Sequence, residues 1–98
     1  MNDSPSVLKA LSDPTRREII DLLKKEGRMA AGDISSRFSI TQATISHHLA
    51  ILAAAKLITI EHEGKYIYYE LNTTVLEDIL SWIVNLIGGK KDEKENSK

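Results

Sequence analysis

The sequence predicts a mainly α-helical domain that carries one β-hairpin, with elements in the order α-α-α-α-β-β-α. Three observations predict this fold. A short helix, a tight turn and a longer helix follow one another between residues 31 and 55. Two alternating apolar and polar segments then flank Glu63-Gly64, as in a β-hairpin. The segment 75–87 is apolar around most of a helix. Together these features describe a winged helix-turn-helix, with the hairpin as its wing.

The composition fits one globular domain and excludes several classes of protein. The chain has 98 residues, of which 42% are hydrophobic and 28% charged. It lacks cysteine, so neither a disulfide nor a thiolate metal site can form. It has no apolar run of about 18 residues and no signal peptide, so we expect a cytoplasmic protein without membrane insertion. We expect residues 1–89 to form the domain and residues 90–98 a disordered charged tail.

Proline and capping residues bound the first two helices. Ser4-Pro5 opens a short first helix. Asp13 is placed to cap the second helix, and Pro14 fits its first turn because the missing N–H costs little there. An apolar stripe over residues 15–25 predicts that the helix continues as far as Gly27, which ends it.

The next two helices form the predicted helix-turn-helix. A short third helix is expected over Ala31–Phe38, and a fourth helix from Gln42 to about Ala55. Thr41 is the expected N-cap of the fourth helix, because its hydroxyl can accept a free backbone N–H.

The predicted wing joins the strands Ile58–His62 and Lys65–Leu71 through Glu63-Gly64. Pairing His62 with Lys65 places five apolar residues on one face of the hairpin. These residues are Ile58, Ile60, Ile67, Tyr69 and Leu71. We therefore expect the wing to pack on the helices by this face only.

The last helix has more apolar surface than one small core can cover. Asn72-Thr73-Thr74 caps it, and it runs from about Val75 to Ile87. Simple core packing is one explanation for its composition. We favour the other explanation, in which the first and last helices of two copies pair in a homodimer.

The fourth helix carries the candidate nucleic-acid-binding residues. Residues 34–60 contain no Asp or Glu, so this segment can approach phosphates without repulsion. Helical periodicity turns Ile45, Leu49 and Leu52 inward. The residues expected to meet DNA, from the outer face and the first turn, are Gln42, Ala43, Thr44, Ser46 and His47. His48 lies nearer the core direction and is expected to be a half-buried packing residue.

Three further residues are candidates for phosphate contacts. Lys65 and Tyr66 lie at the predicted wing tip, where Glu63 is an unfavourable neighbour for phosphate. Arg16 lies at a helix N-terminus, a position that favours anions. Arg16 could equally pair with Asp13 and be structural.

Three ordered motifs resemble those of ArsR-type winged-helix repressors. They are the segments 10–23, 45–49 and 64–72, and the resemblance extends over roughly residues 6–87. It implies a homodimer with paired terminal helices and two recognition helices that meet an imperfect palindrome in double-stranded DNA. The family's DNA contacts match Gln42, Ala43, Ser46 and His47, although Ala43 replaces a more usual polar residue.

The chain departs from the metal-sensing members of that family. Residues 30–34 replace their cysteine motif, and the last helix has Glu77 and Asp78 but no histidine. His47 and His48 are adjacent, and adjacent helical residues point about 100° apart, so they cannot chelate one ion together. The chain therefore resembles metal-free, autorepressor-type members, which implies no cofactor and control by a partner protein or by other means.

Two other functions stay open at this stage. One is a winged-helix protein-interaction module that binds no DNA, and the other is a repressor that responds to a small ligand or a metal. Catalysis is not expected, because the serines have no credible base partner and the chain has no glycine-rich phosphate loop.

Overall fold

The computed structural model describes residues 3–89 of the chain and confirms a mainly helical fold with a β-hairpin wing. The predicted tail, residues 90–98, lies outside the described residues. The helices are α1 (Asp3–Leu11), α2 (Pro14–Glu26), α3 (Ala31–Ser35), α4 (Gln42–Ala54) and α5 (Thr73–Val84), the last followed by a π-helical turn, Asn85–Gly89. The strands are β1 (Met29–Ala30), β2 (Ile58–Glu63) and β3 (Tyr66–Leu71).

The strands form one antiparallel sheet in the order β1-β3-β2. The sequence analysis missed β1, which pairs Met29 with Tyr69 and Ala30 with Tyr68. The predicted register of the wing was wrong by two residues, because His62 pairs with Ile67 and not with Lys65. A shift of two residues preserves the alternation of the strands, so the predicted faces remain correct.

Only the base of the wing packs on the helices. Ile58 is 2% exposed, whereas Ile60, on the same face, is 46% exposed. The predicted face is the one that packs on the body, through Ile58, Tyr69 and Leu71, but its contact is confined to the base of the wing. The outer half of the wing projects away from the core.

Two helices end earlier than predicted. After Ser35, the N–H groups of Arg37 and Phe38 bond three residues back, to Ile34 and Ser35. This tighter winding ends α3 before Phe38. Helix α5 was predicted to reach Ile87, but its α-helical part ends at Val84. The π-helical turn begins at the next residue, Asn85.

One apolar core lies beneath α1, α2, α3, α4 and the base of the wing. Its most deeply buried large side chains are Val7, Ile19, Leu23, Ile34, Ile45, Leu49, Leu52 and Leu57. Three of these residues lie on α4, so the core fixes which side of α4 faces solvent.

Candidate nucleic-acid interface

The start of α4 is set by Thr41. The Thr41 hydroxyl accepts the backbone N–H of Thr44 at 3.1 Å, as predicted for an N-cap. The Thr44 hydroxyl lies 2.8 Å from the same Thr41 oxygen. The Thr44 side chain is exposed, but its hydroxyl already has a hydrogen-bond partner within the helix cap.

The two sides of α4 differ as the periodicity predicted. Ile45, Leu49 and Leu52 are at most 2% exposed and attach the helix to the core. The opposite side is open to solvent and carries Gln42, Ala43, Thr44, Ser46, His47 and Ala50. The structure thus groups all five α4 candidates on one exposed surface. This surface has mostly small side chains and carries no carboxylate.

The end of α4 is equally well defined. The N–H of Leu57 bonds to the carbonyl of Leu52, and that of Lys56 to the carbonyl of Ala53. This is the Schellman pattern, in which the residue after the C-cap adopts the left-handed conformation. Lys56 does so at φ 64°, and the buried Leu52 and Leu57 supply its apolar pair.

Arg16 is buried and does not face solvent. Its side chain donates from Nε to the carbonyl of Ala10 at 2.8 Å and from Nη2 to that of Lys9 at 3.2 Å. Its Nη1 lies 3.2 Å from Nδ1 of His48 on α4. A guanidinium only donates, so His48 Nδ1 accepts, which places the proton of the neutral ring on Nε2.

This arrangement corrects the expectation that Arg16 contacts phosphate. With 8% of its surface exposed, Arg16 instead joins the end of α1 to the middle of α4. The alternative, in which Arg16 has a structural role, was correct. The partners of its side chain are Ala10 and His48, however, whereas Asp13 accepts the backbone N–H of Arg16 at 3.1 Å. His48 is half-buried in this contact, as predicted.

Asp13 is the N-cap of α2, as predicted. The hydrogen bond from the backbone N–H of Arg16, aided by the positive charge of Arg16, holds the pKa of Asp13 below its ordinary value of 3.8. The ionised carboxylate therefore stabilises the first turn of the helix that carries Arg16.

The tip of the wing presents the other two candidates. Gly64 and Lys65 form the two-residue turn, and Gly64 has a φ of 61°, which glycine adopts without steric cost. Tyr66 is 54% exposed, and Lys65 Nζ lies 5.9 Å from the centre of its ring. Both side chains are accessible to a ligand that approaches the tip.

Arg28 is a part of this surface that the sequence analysis missed. Its Nη2 lies 3.2 Å from a carboxylate oxygen of Glu61 and 2.7 Å from one of Glu63. Its guanidinium also stacks 4.1 Å from the centre of the Tyr68 ring. The hydrogen bond to Glu63, with the charges of Glu63 and Glu61, raises the pKa of Arg28 above its ordinary value. No local pattern marks Arg28, because its partners lie more than 30 residues later.

Two further features are absent from residues 3–89. Within residues 3–89, no three His, Asp or Glu side chains come together as ligands for a metal ion. None of the helices described is long and apolar enough to cross a membrane.

Comparison with known proteins identifies the class of this surface. A family described as a helix-turn-helix domain matches residues 11–61. The transcriptional repressor SdpR of Bacillus subtilis (strain 168) is 55% identical over 82 residues, 84% of this chain and 90% of that protein. An arsenical resistance operon repressor of Staphylococcus aureus is 40% identical over 75 residues, 76% of this chain and 71% of that protein. The chain is therefore a helix-turn-helix, DNA-binding transcriptional repressor and not an enzyme.

Solved structures narrow the class to one family. An ArsR-like transcriptional regulator from Rhodococcus sp. RHA1 superposes with a TM-score of 0.79 at 27% identity, covering 98% of this chain and 89% of that chain. The transcriptional repressor PagR of Bacillus anthracis superposes with a TM-score of 0.69 at 27% identity, covering 84% and 93%. The protein belongs to the ArsR family of winged-helix repressors, as its motifs suggested.

Proposed function

We propose that this repressor binds an imperfectly palindromic DNA site as a homodimer, with one α4 from each protomer in successive major grooves. The two copies pair through α1 and α5. The observation that carries the proposal is a set of exposed apolar side chains that flank the buried stripe of α5 and continue beyond its end.

The two sides of α5 support this assembly. On the inner side, Ile79 is 8% exposed, and Leu76 and Ile83 pack on the core. Outside this buried stripe, the large apolar side chains are 42–79% exposed. They are Leu80, Trp82 and Val84 on α5, Leu86 and Ile87 on the π-helical turn that follows, and Leu8 on α1. Several large apolar side chains exposed on one short segment are typical of a protein interface, and a symmetric partner supplies a matching surface.

The chemistry of α4 supports contacts with base edges. The Gln42 amide suits adenine, and Ser46 and His47 supply further hydrogen-bonding groups. Ala43 and Ala50 let the backbone approach the floor of the groove closely, and Ala43 can contact a thymine methyl group. Thr44 borders this surface. Because its hydroxyl is hydrogen-bonded to Thr41 in the helix cap, its methyl group is the part that would contact DNA.

The wing supports contacts with the DNA backbone. Lys65 supplies a positive charge and Tyr66 a hydroxyl, and both suit phosphate oxygens. Such contacts add affinity in any sequence and make binding depend on salt concentration.

A repressor of this kind acts where the chromosome lies, so the cytoplasm is its expected location. Control by a partner protein, and repression of its own promoter, stay predictions from the sequence resemblance.

The first test breaks the apolar face of α5. In the double variant Leu80→Glu/Val84→Glu, two carboxylates replace exposed apolar side chains four residues apart. We expect it to sediment as a monomer at micromolar concentration, while the parent sediments as a dimer. Ser81→Glu adds a carboxylate to the polar side of the same helix and serves as the control, which we expect to remain dimeric.

The same variants test the mode of DNA binding. The DNA protected by the parent in its native genome defines the operator, and we expect two half-sites about one helical turn apart. The monomeric variant should bind this operator at least 100-fold more weakly, because it loses the second half-site. A parent that binds DNA as a monomer, or a protected site without two related halves, would refute the proposal.

A further inference from the structure

We infer that Arg28 positions the wing for DNA binding by offsetting one of the two negative charges of Glu61 and Glu63, so that the Lys65 tip can approach the phosphate backbone. This inference rests on the proposed contact between the wing and DNA. It assigns a role to a residue that lies outside both α4 and the wing.

The geometry places one cation between two carboxylates. Glu61 and Glu63 are two residues apart on one face of β2, and Arg28 contacts both. The side chain of Arg28 is 35% exposed, against 62% for Glu61 and 53% for Glu63. The most shielded member of the cluster is therefore the cation, and the carboxylates face the solvent from which DNA would approach.

The charge of the wing explains why this pairing matters. Residues 58–71 carry the carboxylates of Glu61, Glu63 and Glu70, against one lysine, Lys65. Glu63 is two residues from Lys65, about 7 Å along the chain, and this is within the Debye length of about 8 Å at physiological salt. Unpaired, Glu63 would weaken the attraction between Lys65 and a phosphate.

The position of Arg28 also tethers the wing. Arg28 lies between α2 and β1, so it belongs to the body of the domain, and its guanidinium stacks on Tyr68 in β3. The outer half of the wing has little buried apolar contact, as the 46% exposure of Ile60 shows. Ionic and stacking contacts to Arg28 therefore hold the outer half of the wing to the domain, as apolar packing holds its base.

The test compares four proteins for affinity to the same operator at several salt concentrations. They are the parent, Arg28→Ala, Glu61→Gln/Glu63→Gln, and the triple variant that combines these changes. We expect Arg28→Ala to bind about three- to tenfold more weakly at low salt. The triple variant should bind clearly more tightly than Arg28→Ala, because it removes the repulsion along with the cation that masks it. Any part of the loss that remains measures the tether. As a control, Lys24→Ala removes one positive charge near the end of α2, four residues before Arg28, and should bind like the parent.

Each outcome decides between roles. Arg28→Ala that binds like the parent overturns the inference. A triple variant as weak as Arg28→Ala also overturns it, since Arg28 would then act by touching DNA or by bracing the wing alone. Thermal unfolding and sedimentation of each variant show whether it is folded and dimeric. If Arg28→Ala does not fold, Glu61→Gln/Glu63→Gln decides, because the inference requires it to bind more tightly than the parent.

Two further variants separate this inference from the proposed function beneath it. If Lys65→Ala binds like the parent while His47→Ala weakens binding, the proposed wing contact and this inference both fail, while DNA binding through α4 stands. If Lys65→Ala weakens binding and Arg28→Ala does not, the wing contact stands and only the role of Arg28 fails.

Discussion

Helix α4 and the outer half of the wing are held to the same domain by different forces. Helix α4 is attached by buried apolar side chains, of which Ile45, Leu49 and Leu52 are at most 2% exposed. The outer wing is attached by ion pairs between Arg28 and two exposed glutamates. Salt screens exposed ion pairs, whereas apolar burial involves no charge that salt could screen.

This difference matches the tasks proposed for the two elements. Base reading needs hydrogen-bonding groups held within a few tenths of an ångström, and a core-anchored helix provides that precision. Phosphate contacts tolerate more movement because they depend mainly on charge. The rigid anchorage therefore belongs to the element proposed to read sequence, and the adjustable anchorage to the element proposed to meet the DNA backbone.

The largest expected effect tests the anchorage itself. Leu49→Ala should destabilise the fold by about 2–5 kcal/mol, because it removes buried apolar surface and leaves a cavity under α4. Ile60→Ala, on the wing, should cost less than about 1 kcal/mol, because that side chain is already half-exposed. Urea unfolding at one fixed protein concentration measures both, since dimerisation would otherwise shift the midpoint. Equal losses for the two variants would contradict the comparison.

The sequence predicted the anchorage of α4 well, because that anchorage is local. Periodicity placed Ile45, Leu49 and Leu52 inward, and single residues identified the caps at Asp13 and Thr41, both confirmed. These signals need no knowledge of the rest of the chain.

The anchorage of the wing could not be predicted in the same way. A two-residue strand such as β1 has no periodicity, and without β1 nothing brings Arg28 near Glu61. The wing register shifted by two residues because alternation is identical in both registers. Arg16 was left open between two roles because its partner His48 lies 32 residues away.

A second, smaller effect separates the two elements by the kind of binding energy lost. His47→Ala and Gln42→Ala should each weaken binding to the operator by about 1–3 kcal/mol and leave binding to unrelated DNA almost unchanged. Lys65→Ala should weaken both kinds of binding equally and lower the slope of log Kd against log salt by about one. Titrations of both DNAs over a range of salt measure these quantities. A recognition-helix variant that loses affinity for both DNAs alike would show that α4 contacts only the backbone.

The smallest expected effect concerns the carboxylate of Asp13, which acts on α4 indirectly. Asp13 caps the helix that carries Arg16, and Arg16 holds His48 on α4. The pKa of Asp13 is lowered in the folded protein, so its ionised form stabilises the fold above the unfolded value of about 3.8. This contribution falls as pH drops through the lowered folded pKa, and it is absent below it.

Asp13→Asn keeps a good N-cap but has no charge to lose. The parent should therefore be slightly more stable than Asp13→Asn at pH 6, because its carboxylate also favours the positive end of the helix dipole. The difference in stability should shrink as pH falls below about 4, and the titration of every other carboxylate cancels between the two proteins. Thermal unfolding of both proteins from pH 6 to pH 3 measures it. A difference that does not change with pH would mean that the charge of Asp13 does not stabilise the fold, and that Asp13 caps α2 through its hydrogen bond alone.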